Sequence, residues 1–533
     1  MGVLSRKPVQ SPSFVPRFIL ILAFFSLAIL LLFEVLSDFP VIAFTIHASL
    51  SISCLNGAFH QTVGRLDYFP NTFMVPYINV DNFVSQTKTI AGHNLKPTPW
   101  HPFPLKTFSE ETKYALASKI FQCSYLTCGG STGDDLAHKN WSLSADQAGT
   151  CPEFFRWIHH DLEPWSQSRI SLNHLMEAKK HAALRVVIIG GKLYVDLYYA
   201  CTQSRAMFTL WGLLQLLRRY PGMVPDVDMM FECMDKPKLN KTLHYMPVPL
   251  FRYCTTPNHH DIPFPDWSFW GWPEINIGPW NEEFQSIKQG SQARSWPKKW
   301  PLAYWKGNPN VVSPIRVELL QCNHSRQWKA QILRQDWDAE AKGGFEQSKL
   351  SSQCNYRYKI YAEGYAWSVS LKYILACGSL PLIITPEYED FFSRGLFPKE
   401  NYWPIPPSNL CRSIRSAVDW GNAHLTEAEA MGSRAQEFME SLSMDRVYDY
   451  MYHLIVEYSK LLDFTPVRPS SADEVCVDSL LCFAEEKQRE FLGRSTAFPS
   501  SDPPCRLQPP NKDLIKGEVE KKRKIIKDAQ VLV

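Results

Sequence analysis

The 533-residue chain is 45% hydrophobic and carries 56 Lys and Arg against 53 Asp and Glu, a formal net charge of +3. That length provides for two or three domains with large cores. So small a net charge supports no face-wide basic field and argues against nucleic acid as a partner.

In chain order, the first feature is the apolar run Phe18–Leu36, whose one charged residue is Glu34. As a helix it is about 28 Å long at about 1.5 Å per residue, the thickness of a hydrocarbon core. Arg6, Lys7 and Arg17 precede it without an acidic residue. The positive-inside bias therefore predicts a single-pass type II signal anchor, with residues 1–17 cytosolic and the bulk lumenal. A cleaved signal peptide is the rival, although its apolar region is normally shorter. Myristoylation fails because Arg6 stands where the motif needs Ser or Thr. Fourteen Cys in a lumenal chain predict several disulfides. Cys123–Cys128 and Cys476–Cys482 are the local candidates, and no pair has zinc-type spacing. Glycosylation sequons at Asn140, Asn240 and Asn323 agree with a lumenal domain. The ending KDAQVLV is no retrieval signal, so a Golgi membrane suits better than the endoplasmic reticulum.

Residues 37–109 are poorly periodic and read as a stem. Residues 110–245 are expected to hold a first α/β domain. Leu184–Ile189 is a strand turned by Gly190-Gly191 into Leu193–Tyr199, followed by a helix over Ser204–Tyr220 and a strand over Val227–Cys233. Residues 246–300, rich in Pro and Trp, read as functional loops. Trp usually packs into cores, but clusters on Pro-rich loops also suit sugar-stacking or peptide-binding walls. In 301–462 the pattern predicts a strand at Pro301–Trp305, a helix at Pro314–Cys322 and two closing helices within Leu425–Leu462. Between them lies YKIYAEGYAWSVSLKYILACGSLPLIITPEYEDFF, Tyr358–Phe392. It reads as a strand, a break at Gly364, about four helical turns ending at Gly378, and a buried strand at Leu380–Thr385. That is the wiring of a Rossmann-type unit, whose turn at Glu363–Ser368 points a helix N-terminus at the sheet's carboxyl edge, where anions such as phosphate are favoured. Residues 463–533 form a Cys-containing extension. Beyond about Pro499 it is Pro-, Ser- and Lys-rich and reads as disordered.

Several single residues stand out. Asp235, in FECMDKP, directly follows an apolar strand. Ligands of open α/β sheets gather at that edge, and a carboxylate there can take a proton from a hydroxyl; Asp before Lys-Pro also suits an ordinary turn. Asp196, in the second hairpin strand, is the reserve base. Arg316 falls in the first turn of a helix capped by Ser313 with Pro314 at N1. A cation there costs about 0.3–1 kcal/mol unless an anion offsets it. Glu318 is the local candidate, and a nucleotide diphosphate gripped bidentately is the functional one. Asp226-Val-Asp228 has the form of a metal-binding D-x-D, but it begins a strand and no His or Glu cluster completes it. No metal or cofactor is expected.

The block Tyr358–Phe392, together with AYWKGNP (Ala303–Pro309), resembles the Rumi-type protein O-glucosyltransferases, a domain shared with fungal capsule-associated xylosyltransferases. The resemblance covers roughly Glu110–Leu462. It implies an α/β protein of GT-B type, two Rossmann-like domains facing a cleft, behind an N-terminal transmembrane anchor. It also implies inverting, metal-independent transfer of glucose or xylose from UDP-glucose or UDP-xylose to a hydroxyl of a protein or glycan acceptor. Asp235 would be the general base. Lys306, Gly307, Asn308 and Arg316, with Gly364, Tyr365, Ala366, Trp367, Ser368, Val369 and Ser370, would bind the UDP-sugar, and Lys372 would add charge. In DWSFWGWPEINIGPW, Asp266–Trp280, the rings of Trp267, Phe269, Trp270 and Trp272 would meet the acceptor. The chain departs from the animal pattern at Glu363 and Ser370, where arginines align, and at Lys306, where Arg is usual. Ser204-Arg205 also resembles the family, although a helix cap and a surface Arg explain it equally well. The missing charges motivate a rival, a catalytically weak sugar-binding scaffold. An unrelated membrane-tethered adhesion module explains the anchor and cysteines but not the Rossmann unit.

Overall fold

Gly190 and Gly191 both have positive φ, 55° and 75°, the backbone of a two-residue type I′ turn. They join β1 (Leu184–Ile189) to β2 (Lys192–Leu197) with Ile189 opposite Lys192. β1 also pairs antiparallel with β3 (Val227–Phe231), which follows α1 (Arg205–Arg219). The short strands β4 (Phe251–Arg252) and β5 (Ile262–Pro263) continue that side in parallel.

The second sheet is made of β6 (Trp300–Gly307), β7 (Ala330–Arg334), β8 (Tyr356–Tyr361), β9 (Leu380–Ile384) and β10 (Trp403–Ile405). All its pairs are parallel, in the order β10-β9-β8-β6-β7. β9 is buried along its whole length, as a parallel strand covered on both faces must be. Numbered within the sheet this is the doubly wound order 2-1-3-4-5, with the reversal between β6 and β8. The first sheet gains its last strand, β11 (Asp473–Val475), from far along the chain, giving the order β11-β2-β1-β3-β4-β5. It is mixed, so it departs from the second Rossmann-like half that was expected. The diglycine turn is the reason, because a two-residue connection returns a chain only antiparallel.

The computed structural model describes Cys128 and residues 149–243 and 247–531, all within one compact unit. The expected anchor Phe18–Leu36, the stem, Cys123 and Asn140 lie outside the described residues. Among the described residues no helix is long and apolar enough to cross a membrane.

Further helices are α2 (Trp280–Gln292), α3 (Pro314–Leu320), α4 (Ser370–Leu375), α5 (Leu410–Ala423), α6 (Leu425–Ser441), α7 (Met444–Ser459) and α8 (Lys512–Val531). The closing pair is where the periodicity places it: α6 packs on β9, and α7 on β3 and α1, so the pair spans both sheets. Four expectations are corrected. α2 occupies a stretch read as irregular, burying Trp280, Phe284 and Ile287 at helical spacing. The helix after Gly364 is only the six residues of α4, because residues 364–369 are held as a loop. The C-terminal segment is ordered: α8 buries Ile515 and Ala529, and Cys505 is bonded to Cys151. Finally, Cys128 bonds Cys476 across 348 residues, so neither Cys123–Cys128 nor Cys476–Cys482 is a staple. Cys201–Cys233, Cys322–Cys411 and Cys354–Cys377 are the other described disulfides.

Candidate active site

At the reversal of the parallel sheet, β6 and β8 end on two loops that one guanidinium holds together. Ser313 accepts from the Arg316 amide at 3.4 Å and donates to the Glu363 carbonyl at 2.8 Å. Arg316 is 9% exposed. Its Nε donates to Glu363 O at 2.9 Å, Nη1 to Asn308 O at 3.0 Å, and Nη2 to Ala362 O and Ser368 Oγ, each at 3.1 Å. Burial lowers its pKa to about 10, which leaves it charged at neutral pH. Glu318 is exposed, and among the described residues no carboxylate forms an ion pair with Arg316. The positive charge therefore stands at the sheet edge, but its fork is turned onto backbone carbonyls, which corrects the expected bidentate grip. Gly364 suits this packing, since a Cβ there would lie close to Arg316 Nη2, at 3.3 Å.

The neighbouring cations are committed elsewhere. Lys306 donates to Glu340 and to Gln347 O, each at 2.7 Å. Lys372, 1% exposed, donates to Ser268 Oγ at 2.7 Å and lies 3.3 Å from the Asp266 carboxylate. Lys372 is thus an internal tie between α4 and the Asp266 turn, correcting its assignment to a diphosphate. Glu363 accepts from the amides of Glu387 at 3.0 Å and Tyr388 at 2.9 Å, and burial pushes its carboxyl up to about 7. Ser368 and Ser370 are joined by a 2.9 Å hydroxyl contact. Asn308 caps its own turn at the Asn310 amide, Gly307 packs against Trp305, Tyr365 and Val369 are half-buried, and Ala366 and Trp367 are buried.

Across from these loops, the end of β3 presents Asp235. Arg205, 9% exposed, donates from Nη1 to Asp235 Oδ1 at 2.6 Å and lies 4.3 Å from the centre of the Trp267 ring. It is therefore no surface Arg. The turn itself is fixed by the Cys201–Cys233 disulfide, by Arg252 Nη2 on Met234 O at 2.8 Å, and by the buried free thiol of Cys254 on Asp235 O at 3.2 Å. Asp196 lies at the same sheet edge but two strands away, roughly 10 Å by strand spacing, where it accepts from Ser471.

The two sides meet directly. Lys236 Nζ is 4.3 Å from the centre of the Tyr365 ring, Trp267 and Tyr253 lie edge-on and tilted against Trp367, and Thr255 exchanges backbone bonds with Glu389. The structure thus brings Asp235, the Gly364–Ser370 loop and Arg316 to one place. It does not offer the expected acceptor rings: Trp267, Phe269 and Trp270 are at most 1% exposed. Trp267 backs the site against Arg205 and Trp367, whereas Phe269 packs on Trp280 and Phe391 and Trp270 on Tyr448; of the four only Trp272 is half-buried, its indole donating to Gln203 at 2.9 Å. The D-x-D is divided between two structural tasks. Asp226 caps the diglycine turn at the Gly190 amide, and Asp228 is buried in an ion pair with Arg185. Asn240 is half-buried and Asn323 exposed. Sequence reasoning undervalued Arg205 and passed over Lys236 and Cys254. The D-K-P triplet carried a signal for Lys236, whereas the partners of Arg205 and Cys254 are distant in sequence.

A carboxylate past the end of one sheet thus faces a switch-point loop cluster of another, the kind of place where ligands of α/β sheets gather. Residues 146–532 match the family described as Glycosyl transferase family 90. The chain is 26% identical over 332 residues to the O-glucosyltransferase rumi homolog of Anopheles gambiae, covering 59% of this chain and 80% of that one. It is 25% identical over 341 residues to Protein O-glucosyltransferase 1 of Bos taurus, covering 61% and 84%. To O-glucosyltransferase rumi of Drosophila melanogaster it is 24% identical over 341 residues, covering 60% and 80%. The chain belongs to glycosyltransferase family 90 and is of the Rumi type within it.

Proposed function

We propose that this protein is an inverting, metal-independent glycosyltransferase of GT-B architecture, moving glucose or xylose from a UDP donor to a hydroxyl of a protein or glycan. The observation that carries this reading is Asp235, delivered by β3 onto a fixed turn that abuts the Gly364–Ser370 loop. The names of the relatives favour glucose as the sugar and protein as the acceptor. Asp235 takes the acceptor proton as the acceptor oxygen bonds to C1, and UDP leaves with the electron pair of the broken bond. Arg205 orients the carboxylate, and the charge of Arg316 favours the departing diphosphate electrostatically. Disulfides belong to oxidising compartments, which supports a lumenal domain, held by Phe18–Leu36 in a Golgi or endoplasmic reticulum membrane.

The test is UDP release from UDP-glucose and UDP-xylose with protein and glycan acceptors, in the presence of a chelator. Sugar appearing on the acceptor under chelation is the expected result, and dependence on an added divalent ion would refute the metal-independent step. The half-buried carboxyl of Glu363 and the committed Lys306 and Lys372 favour one alternative, a weakly active sugar-binding scaffold. UDP binding without release above background would select it.

A further inference from the structure

The donor side of this site is short of free positive charge. Arg316 faces carbonyls, Lys306 is held by Glu340, Lys372 by Asp266 and Ser268, and Glu363 adds a carboxyl. At the junction stands one ammonium with no ion-pair partner among the described residues, that of Lys236. It is exposed, adjoins Asp235 in sequence, and rests on the ring of Tyr365, a residue of the donor loop. Backbone on either side of it is pinned: Asp235 O accepts from Cys254, and the Lys238 amide donates to the buried Asp261 carboxylate at 3.0 Å. The stem of Lys236 therefore springs from a fixed turn, while among the described residues its head is held only by an exposed cation–π contact, which is weak. A phosphate competes readily for such an ammonium, because a charge-assisted hydrogen bond is stronger.

We propose that Lys236 is the leaving-group cation of this chain, passing from the Tyr365 ring to the donor diphosphate when the donor occupies the Gly364–Ser370 loop. This rests on the UDP-sugar reading above. In the transfer, the acceptor oxygen forms its bond to C1 and gives its proton to Asp235. The bond from C1 to the β-phosphate oxygen breaks, and its electron pair stays on that oxygen. Lys236 meets the negative charge that results. One rigid turn of the mixed sheet then presents base and leaving-group cation together, and charge absent from the parallel sheet at Glu363 and Ser370 is supplied from the opposite side of the cleft.

Calorimetric titration of UDP and UMP into the parent, Lys236→Met and Lys236→Arg tests this. Lys236→Met keeps the apolar stem and removes the charge. It is expected to weaken UDP about tenfold and UMP less than about twofold, with Lys236→Arg near the parent for both and all melting temperatures alike. Equal UDP affinity in Lys236→Met and the parent overturns the proposal, as does parallel weakening of UDP and UMP. A lowered melting temperature without selective loss of UDP assigns Lys236 a purely structural clamp on Tyr365 and also overturns it. A parent that binds neither nucleotide refutes the donor reading itself, a result distinct from all of these.

Discussion

Asp235 carries the chemistry proposed here, and its surroundings make the substitution clean. Its neighbours bind it through backbone and through one Arg205 contact, so Asn fits the same place without being a comparable base. Asp235→Asn is expected to keep UDP affinity and melting temperature while transfer falls about two to four decades, measured by sugar incorporation. Arg316 behaves differently, because it joins two loops. Arg316→Ala is expected to lower both UDP affinity and fold stability, each by about 1.5–3 kcal/mol, in titration and denaturant unfolding. Loss of affinity at unchanged stability would show that its carbonyl contacts are dispensable. A third residue reports on pH. Lys359, 3% exposed, donates to Gln353 at 2.9 Å, and burial, with Lys299 nearby, lowers its pKa to about 7. Unfolded Lys holds its proton to about pH 10.4, so between about pH 7 and 10 the unfolded state binds more protons. Stability should rise with pH through that window and be lost as pH falls through 7. Denaturation midpoints should show this rise in the parent and a flatter profile in Lys359→Met, which should be the more stable protein at pH 6.

At the scale of elements, the C-terminal segment is the clearest case of structure against composition. β11 pairs with β2, Cys505 bonds Cys151, and α8 packs on β10. Removing residues 499–533 is therefore expected to destabilise the protein and raise its proteolytic susceptibility, whereas removal of a disordered tail would change neither. Cys505→Ser alone should cost about 2–5 kcal/mol. Elements with dense local signals were legible: β1, β3 and β9 as apolar runs, the hairpin from Gly190-Gly191, and α6 and α7 from periodicity. The place of Asp235 was legible because a residue just past an apolar strand falls at the carboxyl end of the sheet, while its role as base is the proposal made above. What failed depended on partners remote in sequence. Trp267, Phe269 and Trp270 look alike in sequence whether their faces point inward or outward. Lys372 meets Asp266 106 residues away, and Arg316 meets carbonyls, which leave no trace in side-chain identity. The missed α2 shows Pro and Trp outweighing a modest helical period.

In the whole molecule, a mixed sheet presents Asp235, a parallel sheet presents the loops around Arg316 and Gly364, and α6 and α7 brace both. Two disulfides tie the beginning of this arrangement to its end, Cys128 to Cys476 and Cys151 to Cys505, across 348 and 354 residues. Ribosomes add roughly 5–20 residues per second, so each early thiol waits on the order of 20–70 s for its mate to be made. During that interval β2 lacks β11, and its open edge is a template for pairing with other chains. The first sheet to be translated is thus among the last to be finished, and Cys128 and Cys151 must stay clear of Cys201 and Cys233, which pair with each other, until Cys476 and Cys505 arrive.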